Sequence, residues 1–341
     1  MSARRLYLDV SPGEVRGVAT LDGLPERLLI ERSGVDLGPG LGARYRARVA
    51  EIAGDLQLAR LDLGQGLQGV LPLKSGGGMA RGATVEVETA AEARGDKAPV
   101  FRLIGPADGK PGLAVPAPGL EARLAALAPG VEIICGAAAR EAADDAEAAA
   151  LAVQHALPGG ISLSIEPTRA LTAVDIDRAA ATGASAKTVA DANRTAIGHA
   201  ARLLRLKSLG GAIVIDLIGF PRDGSILQAA ARAAFAPDEP GVAVLPVSRL
   251  GLLQVSKPHR ERPLAERVCD ADGGLSARSI AQRLARALER EGRADPGARL
   301  VARCAPATAA ALRPLAAELG PRFSVEEALG WERSRTDIQA R

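Results

Sequence analysis

Two aspartates that follow apolar runs are the residues of this sequence best placed to do chemistry. Asp175 lies in LTAVDID at 171–177, and Asp216 lies in GAIVIDLIGF at 211–220. A helical pattern separates the runs, so we expect a strand, a crossover helix and a second strand that bring the two carboxylates together. Such a pair suits Mg²⁺, which takes one or two carboxylates and leaves its other positions to water and phosphate oxygens. The alternative is that both aspartates only cap strands or form turns.

The segments around these aspartates predict an α/β unit. GISLSIEP predicts a strand with a turn at Glu166–Pro167, and residues 186–211 predict a helix that carries Asn193 on its apolar face and ends at Gly210 and Gly211. An alanine-rich helix over 225–236 and a strand with a basic end over 241–257 follow. These elements would position the two aspartates.

The front half of the chain is rich in short strands. Residues 4–32 predict a strand meander, and the five short strands with glycine turns that follow predict a small barrel of the OB type or another small β-domain. Residues 105–118, with four prolines, predict a linker or surface loop. Residues 138–157 predict a solvated helix. The tail predicts a compact α/β unit that begins near residue 263.

Composition sets bounds on the class of protein. The chain has 341 residues, 47% of them apolar, which is enough for two or three domains with buried cores. Its net charge of +3 permits a polyanionic partner without requiring one. No stretch has the length of a signal-peptide core or a membrane span, so we expect a cytoplasmic protein. Cys135, Cys269 and Cys304 are scattered, which excludes a four-cysteine metal site within one chain.

Residues 159–257 resemble the catalytic core of the ribonuclease E/G family. The resemblance is carried by the strings ALTAVDID, RAAATG, RLLRLKSLGGAIVIDLI and SRLGLLQVSK. In the front half, RYRARV and ARLDLGQGLQGVLPL resemble the opening of the S1-like RNA-binding domain of that family. The resemblance covers about two thirds of the chain and is weak in the C-terminal part.

This resemblance implies an α/β (α+β) multidomain fold with an inserted S1-like OB barrel, a DNase I-like and RNase H-like catalytic core, and a small α/β C-terminal domain. The expected divisions are 1–37 for N-terminal strands that pack on the core, 38–104 for the barrel, 105–158 for a linker and shortened RNase H-like segment, 159–262 for the DNase I-like core, and 263–341 for the C-terminal domain.

The activity that the resemblance implies is hydrolytic cleavage of RNA by an endoribonuclease, with 5′-phosphate and 3′-hydroxyl products and a role in rRNA or mRNA processing. Asp175 and Asp216 would hold Mg²⁺, and Asp177 stands where the family usually has Asn, adding negative charge beside the same site. The residues expected to bind RNA are Arg44, Arg46, Arg48, Arg60, Lys74, Asn193, Arg249 and Lys257.

Three departures from the family pattern predict a protein that lacks some of the regulatory and RNA-binding features of the family. Residues 105–158 stand where the family has a longer segment with an Arg-Thr pair that reads a 5′-monophosphate, so we expect loss of 5′-end sensing. Asp272 replaces the second cysteine of the zinc-link motif that begins at Cys269, so we do not expect a zinc-linked dimer, although other homo-oligomers stay open. Leu61, Leu63 and Val70 replace aromatic residues, which predicts weak base stacking.

Two functions remain open from the sequence. The first is a short Mg²⁺-dependent endoribonuclease, which the retention of Asp175 and Asp216 favours. The second is a catalytically weak RNA-binding protein on the same scaffold, which the lost sensor, the lost zinc link and the few aromatic residues favour. Cleavage of a single-stranded RNA with and without the two aspartates would separate them.

Overall fold

The computed structural model describes residues 3–34, 38–73, 79–178, 186–219 and 224–341, and for residues 186–188 it describes the backbone only. Lys74 therefore lies outside the described residues, as do the segments 179–185 and 220–223 that follow the two aspartate strands.

In the described residues nine strands precede the first helix, and strands and helices are interspersed after it. The strands are β1 Arg4–Ser11, β2 Glu14–Leu21, β3 Leu24–Arg32, β4 Arg44–Ala53, β5 Leu58–Gly64, β6 Leu67–Pro72, β7 Thr84–Ala91, β8 Val100–Pro106, β9 Gly112–Val115, β10 Ile133–Cys135, β11 Gln154–Leu157, β12 Ile161–Pro167, β13 Thr172–Arg178, β14 Gly211–Asp216, β15 Ala243–Val244, β16 Leu252–Lys257, β17 Leu300–Cys304, β18 Phe323–Glu327 and β19 Thr336–Ala340. The α-helices are α1 Leu120–Leu127, α2 Ala137–Leu151, α3 Ala186–Leu206, α4 Gly224–Phe235, α5 Leu264–Val268, α6 Ala277–Ala294 and α7 Pro306–Leu319, and a 3₁₀ turn spans Ala236–Asp238.

The N-terminal strands form a sheet with a strand from much later in the chain. Its order is β10-β1-β2-β3, with β1, β2 and β3 antiparallel and β10 parallel to β1. Helix α1 packs Leu120 and Leu124 against Leu6 and Leu29 of this sheet. The meander expected over 4–32 is present, and β10 adds a fourth strand to its sheet.

The second sheet closes into a barrel. Strands β4, β5, β6, β8 and β7 follow one another around it, β6 and β8 are parallel, and β5 pairs back to β4. This arrangement is consistent with an OB-like barrel. Part of the stretch expected to be a linker is instead the short strand β9, which adds to the outer edge of β4. The interior is apolar, and Tyr45 meets Phe101 edge to face at 6.0 Å between ring centroids.

The third and largest sheet has the order β11-β12-β13-β14-β16-β15. Helices α3 and α4 cover one face, where Leu163, Val174, Ile213 and Leu253 are buried. The expectation of a helix through residue 157 is wrong, because α2 ends at Leu151 and residues 154–157 pair with β12. Helix α2 is not simply solvated either, since its alanines form a buried stripe.

The C-terminal unit has the sheet order β18-β17-β19 with α6 and α7 packed against it. A buried charge cluster, made of Asp9, Glu14, Arg16, Glu147 and Arg286, connects α6 to α2 and the N-terminal sheet. Arg16 is fully buried and lies 2.6 Å from Asp9 and 3.1 Å from Glu147. Helix α6 is thereby held by ion pairs as well as by its apolar face.

No helix in the described ranges is long and apolar enough to cross a membrane.

Candidate active site

The two aspartates come together as their spacing predicts. Strands β13 and β14 are parallel neighbours, and their register places Asp175 directly opposite Asp216. Side chains of β13 alternate, with Val174 and Ile176 buried against the helices and Asp175 and Asp177 exposed on the other face. Because residues in register on parallel strands project to the same face, Asp175 and Asp216 share the open face of the sheet.

Helix α3, which connects β13 to β14, fixes the backbone just after the end of β14. Asn193 of α3 is fully buried; its Nδ2 donates to the carbonyl oxygen of Ile218 at 3.1 Å, and its Oδ1 accepts from the backbone N–H of Ile218 at 2.9 Å. Both polar ends of the amide are thus engaged two residues after Asp216. The structure gives Asn193 a positioning role, which differs from the direct RNA contact expected from the sequence.

The double glycine at the start of β14 is required by close packing. A Cβ atom on Gly210 would lie 2.8 Å from the carbonyl oxygen of Pro258, and one on Gly211 would lie 2.6 Å from the imidazole of His259. Gly211 also has φ +90°, a conformation that other residues rarely adopt. These two glycines let β14 begin directly beneath residues 258–259 and so fix where Asp216 falls.

Strand β12 adds polar groups that the sequence did not indicate. Ser162 and Ser164 pair with Asp177 and Asp175 across the antiparallel ladder, and Ser164 Oγ donates to Glu166 Oε1 at 3.1 Å. Glu166 was expected in a turn, but β12 continues to Pro167 and the turn is formed by residues 168–171. The alternation of β12 was the available signal, because every second residue from 162 to 166 lies on the face of the aspartates.

Four carboxylates therefore give this face a strongly negative character. The pKa of Asp175 is raised above its ordinary value, first by partial desolvation and then by the charges of Asp177, Asp216 and Glu166. Among the residues that the structure describes, no three or more His, Cys, Asp or Glu side chains are grouped closely enough to hold a metal ion by themselves. Asp175 and Asp216 would thus offer a cation two protein oxygens and leave its remaining positions open.

The turn before β16 lies at the same end of the sheet. Leu252 pairs with Asp216, so residues 248–251 lie next to the aspartates. Ser248 Oγ accepts from the N–H groups of Leu250 and Leu252 at 3.2 Å each, which holds the turn, and Arg249 is exposed on it. Arg249 is therefore placed near the acidic face.

Lys257 is not near the aspartates. It pairs with Gly211, at the far end of β14 from Asp216, about 16 Å away at the rise per residue of a strand. Its ammonium donates to the carbonyl oxygen of Leu209 at 3.0 Å and lies 3.5 Å from Asp238. The expected phosphate contact beside the metal is wrong for Lys257, because β16 runs antiparallel to β14 and carries its basic end away.

The barrel arginines form a separate surface. Arg44, Arg46 and Arg48 alternate with buried residues along β4 and face outward, and Arg60 is exposed on β5. Two of them face carboxylates: Arg44 lies 3.4 Å from Glu88, and Arg60 lies 3.5 Å from Glu51. Arg46 and Arg48 are exposed next to them. The four arginines are thus on one barrel but differ in how far their charge is compensated.

Two positions expected to affect base stacking have another role. Leu61 and Leu63 are each only 1% exposed and belong to the interior of the barrel. A base could not stack on either side chain, whatever its type, without opening the barrel. The two leucines are therefore part of the apolar interior of the barrel.

The zinc-link position is occupied by an internal ion pair. Asp272 accepts from Arg333 at 2.6 Å and from the N–H of Gly274 at 2.9 Å, and Arg333 also contacts Asp270 at 2.6 Å. Cys269 is half-buried, and burial raises the pKa of its thiol. Asp272 thus serves to order the turn before α6.

Comparison with known proteins places this region in a family. Residues 139–260, which include both aspartates, match the model of the Ribonuclease E/G family. Over 114 residues the chain is 39% identical to ribonuclease E of Escherichia coli (strain K12) and 38% identical to ribonuclease E of Haemophilus influenzae; each match covers 32% of this chain, and 11% and 12% of those proteins.

A cyanobacterial relative gives a similar picture. Ribonuclease E of Synechocystis sp. is 31% identical over 126 residues, which are 35% of this chain and 19% of that protein. The chain thus spans less than a fifth of the length of each of these three relatives. The similarity to the ribonuclease E/G family is thus carried by residues 139–260, the segment that holds both aspartates.

Proposed function

We propose that this chain is an endoribonuclease of the ribonuclease E/G type that hydrolyses phosphodiester bonds in RNA with the help of Mg²⁺. The observation that carries the proposal is the register of β13 and β14, which puts Asp175 beside Asp216 on an open sheet face. The relatives that match this region are named ribonuclease E, which supports RNA as the substrate class.

The charge of the site supports a cation requirement. Four carboxylates on one face would repel an RNA phosphate, so the phosphate could approach only if a cation offsets their charge. Asp175 and Asp216 supply the hard oxygen ligands that Mg²⁺ prefers, and two protein ligands are a usual number for this ion. When bound there, Mg²⁺ would supply a water of lowered pKa and would neutralise charge on the phosphoryl oxygens.

The remaining residues would orient the site. Asn193 holds the backbone after Asp216, so the carboxylate keeps its place at the end of β14. Asp177, on the same face as Asp175, would add an oxygen acceptor and one more negative charge. Arg249, exposed on the turn next to Asp216, would bind a phosphate on the RNA chain beside the scissile bond.

The barrel would provide a second contact with RNA. An S1-like role for it is supported by its OB-like strand order and by the outward arginines of β4. With Leu61 and Leu63 turned inward, we expect this contact to be mainly electrostatic, sensitive to salt and tolerant of sequence. Ribosomal or messenger RNA in the cytoplasm is the target that the family resemblance favours, and a zinc-linked dimer is not part of the proposal.

The test is cleavage of a fluorescent single-stranded RNA with Mg²⁺ or with EDTA. We expect cleavage by the parent protein, and a loss of at least about 100-fold in Asp175→Asn and in Asp216→Asn, as for removal of a group that stabilises transition-state charge. Asp108→Asn is the matched control, since it makes the same chemical change at an exposed carboxylate in the loop between β8 and β9. Cleavage that EDTA and both substitutions leave unchanged would contradict the proposal. RNA binding without turnover would instead indicate a binding protein.

A further inference from the structure

A cavity of about 680 Å³ lies between the barrel, the N-terminal sheet and the core. We call it the junction cavity; its walls include Arg27 of β3, Thr89 of β7, Arg205 of α3, and Asp238 and Lys257. Lys257 is at the end of β14 and β16 remote from Asp216, so this cavity is separate from the acidic face. Its volume is in the range of small-molecule sites.

Three cations in the cavity wall share one carboxylate. Arg205 donates to Asp238 Oδ2 at 2.8 Å, whereas Arg27 and Lys257 lie 3.6 Å and 3.5 Å from Asp238 Oδ1. The two longer distances exceed those of good hydrogen bonds. Arg205 is also paired with Glu26 at 3.0 Å, whereas Arg27 and Lys257 share the longer contacts with Oδ1 of Asp238.

Arg27 is the least compensated of the three. Within the described ranges, Asp238 is the only group with which it forms an ion pair, and Arg27 makes no hydrogen bond through its side chain. Its side chain is only 22% exposed. Burial lowers the pKa of Arg27 despite the attraction of Asp238, and the charge of Arg205 lowers it further. A half-buried guanidinium that makes no side-chain hydrogen bond within the described ranges therefore lines this cavity.

Positive charge extends beyond the three cations. A neighbouring cavity of about 430 Å³ shares Pro258 and Arg260 with the first and is also lined by Arg94 and Lys97. The pKa of His259, which lines this second cavity, is lowered to about 4, first by burial and then by the charges of Arg94, Lys97 and Lys257.

The carboxylates of the junction cavity do not remove this excess. Glu88 is paired with Arg102 at 2.9 Å, and Glu261 with Arg123 at 2.5 Å. Six cationic residues and four acidic residues line the cavity, an excess of two positive charges. An anion is the ligand class that such a wall would bind.

We propose that the junction cavity binds a phosphate group, with Arg27, Lys257 and Arg260 as its main contacts. Phosphate offers several acceptor oxygens to the planar donor fork of a guanidinium, and its negative charge would offset the repulsion among the buried cations. The phosphate belongs either to a free nucleotide, which the cavity is large enough to hold, or to the backbone of an RNA chain. The proposal does not depend on cleavage at Asp175 and Asp216.

The test is a binding titration of the full chain at constant ionic strength. The probes are adenosine 5′-monophosphate, and a short oligoribonucleotide with hydroxyl groups at both ends, with adenosine as the uncharged control. Binding is followed by calorimetry for the parent, Arg27→Gln, Glu239→Gln and Arg293→Gln. Glu239 lines the cavity and is exposed, so its neutralisation raises the local positive charge; Arg293 lies on α6, with its side chain 67% exposed, and controls for a charge change elsewhere.

We expect saturable binding of the mononucleotide, of the oligonucleotide, or of both, and no binding of adenosine. Arg27→Gln should weaken it about tenfold, as for loss of a charge-assisted hydrogen bond, Glu239→Gln should strengthen it, and Arg293→Gln should leave it unchanged. The probe that responds to Arg27→Gln identifies the source of the phosphate. Binding of neither probe, or binding indifferent to Arg27→Gln in a protein whose thermal unfolding matches the parent, would overturn the proposal.

Discussion

Asn193 and Ile218 form a pair of hydrogen bonds that joins the crossover helix to the backbone just beyond Asp216. The amide of Asn193 has no exposed surface, donates to the carbonyl of Ile218 and accepts from its N–H. The buried side chain of Asn193 thereby fixes the backbone next to Asp216, the candidate catalytic carboxylate at the end of β14. This arrangement separates the residues that would touch the metal or RNA from those that would position them.

Replacing Asn193 should therefore affect cleavage more than RNA binding. Asn193→Ala leaves the N–H and carbonyl of Ile218 without their partner, and each unsatisfied buried group costs about 1–3 kcal/mol. We expect reduced stability in urea and a lower maximal cleavage rate at unchanged RNA affinity. Asn193→Asp puts an unpaired carboxylate in the same buried site, so its loss of stability at pH 7 should be at least as large as that of Asn193→Ala. An equal loss of RNA affinity would contradict this positioning role.

The negative charge of Asp175, which the proposed metal binding requires, should lower the stability of the folded protein. Its pKa in the folded protein is raised by desolvation and by neighbouring carboxylates. A raised pKa means that the stability it contributes is complete below the unfolded-state pKa of about 3.9 and is lost as the pH rises through the folded-state pKa. Asp175→Asn should therefore raise the melting temperature at pH 7, by roughly 1–3 °C, and the difference should vanish near pH 3.

The control for this measurement is Asp108→Asn, which removes an exposed carboxylate from the loop between β8 and β9 and should leave the melting temperature unchanged. Mg²⁺ should raise the melting temperature of the parent and do so less in Asp175→Asn, because the ion relieves the same repulsion. A variant at Asp175 that is less stable than the parent at pH 7 would show that the carboxylate has a structural role.

The buried charge cluster should dominate the attachment of the C-terminal unit. Arg16→Met leaves Asp9 and Glu147 as buried carboxylates with fewer cationic partners, a change that costs about 3–5 kcal/mol when a buried pair is broken. Denaturant unfolding should show this loss. Arg293→Met removes an exposed i,i+4 pair with Glu289 and should cost no more than about 0.5 kcal/mol. Similar losses for both variants would mean that the cluster contributes little.

Local patterns were enough to predict most elements and the pairing of the two aspartates. Turn residues and two-residue alternation mark the strands, and the helical period of α3 placed Asn193 on the buried face. The partner of Asn193 could not be predicted, because Ile218 reaches it only through the crossover. The position of Lys257 was predicted wrongly for a similar reason. A strand with a basic end has the same sequence pattern whether it runs parallel or antiparallel to β14, and only the pairing with Gly211 shows at which end of the sheet Lys257 lies.

The barrel arginines should differ in their contribution to RNA binding according to their compensation by carboxylates. Arg44 and Arg60 face Glu88 and Glu51, so part of their charge is already neutralised, whereas Arg46 and Arg48 have no such ion pair in the described part of the chain. Removing one phosphate-binding charge lowers the slope of log affinity against log salt by about 0.7 for a single strand.

Arg46→Gln and Arg48→Gln should each show this reduction in slope, with weaker binding to all RNA sequences alike. Arg60→Gln should show a smaller one, and fluorescence anisotropy at several salt concentrations measures both. Equal slopes for these three variants and Arg44→Gln would mean that pairing with Glu51 and Glu88 does not limit RNA binding, and no change in any of them would place the RNA on another surface.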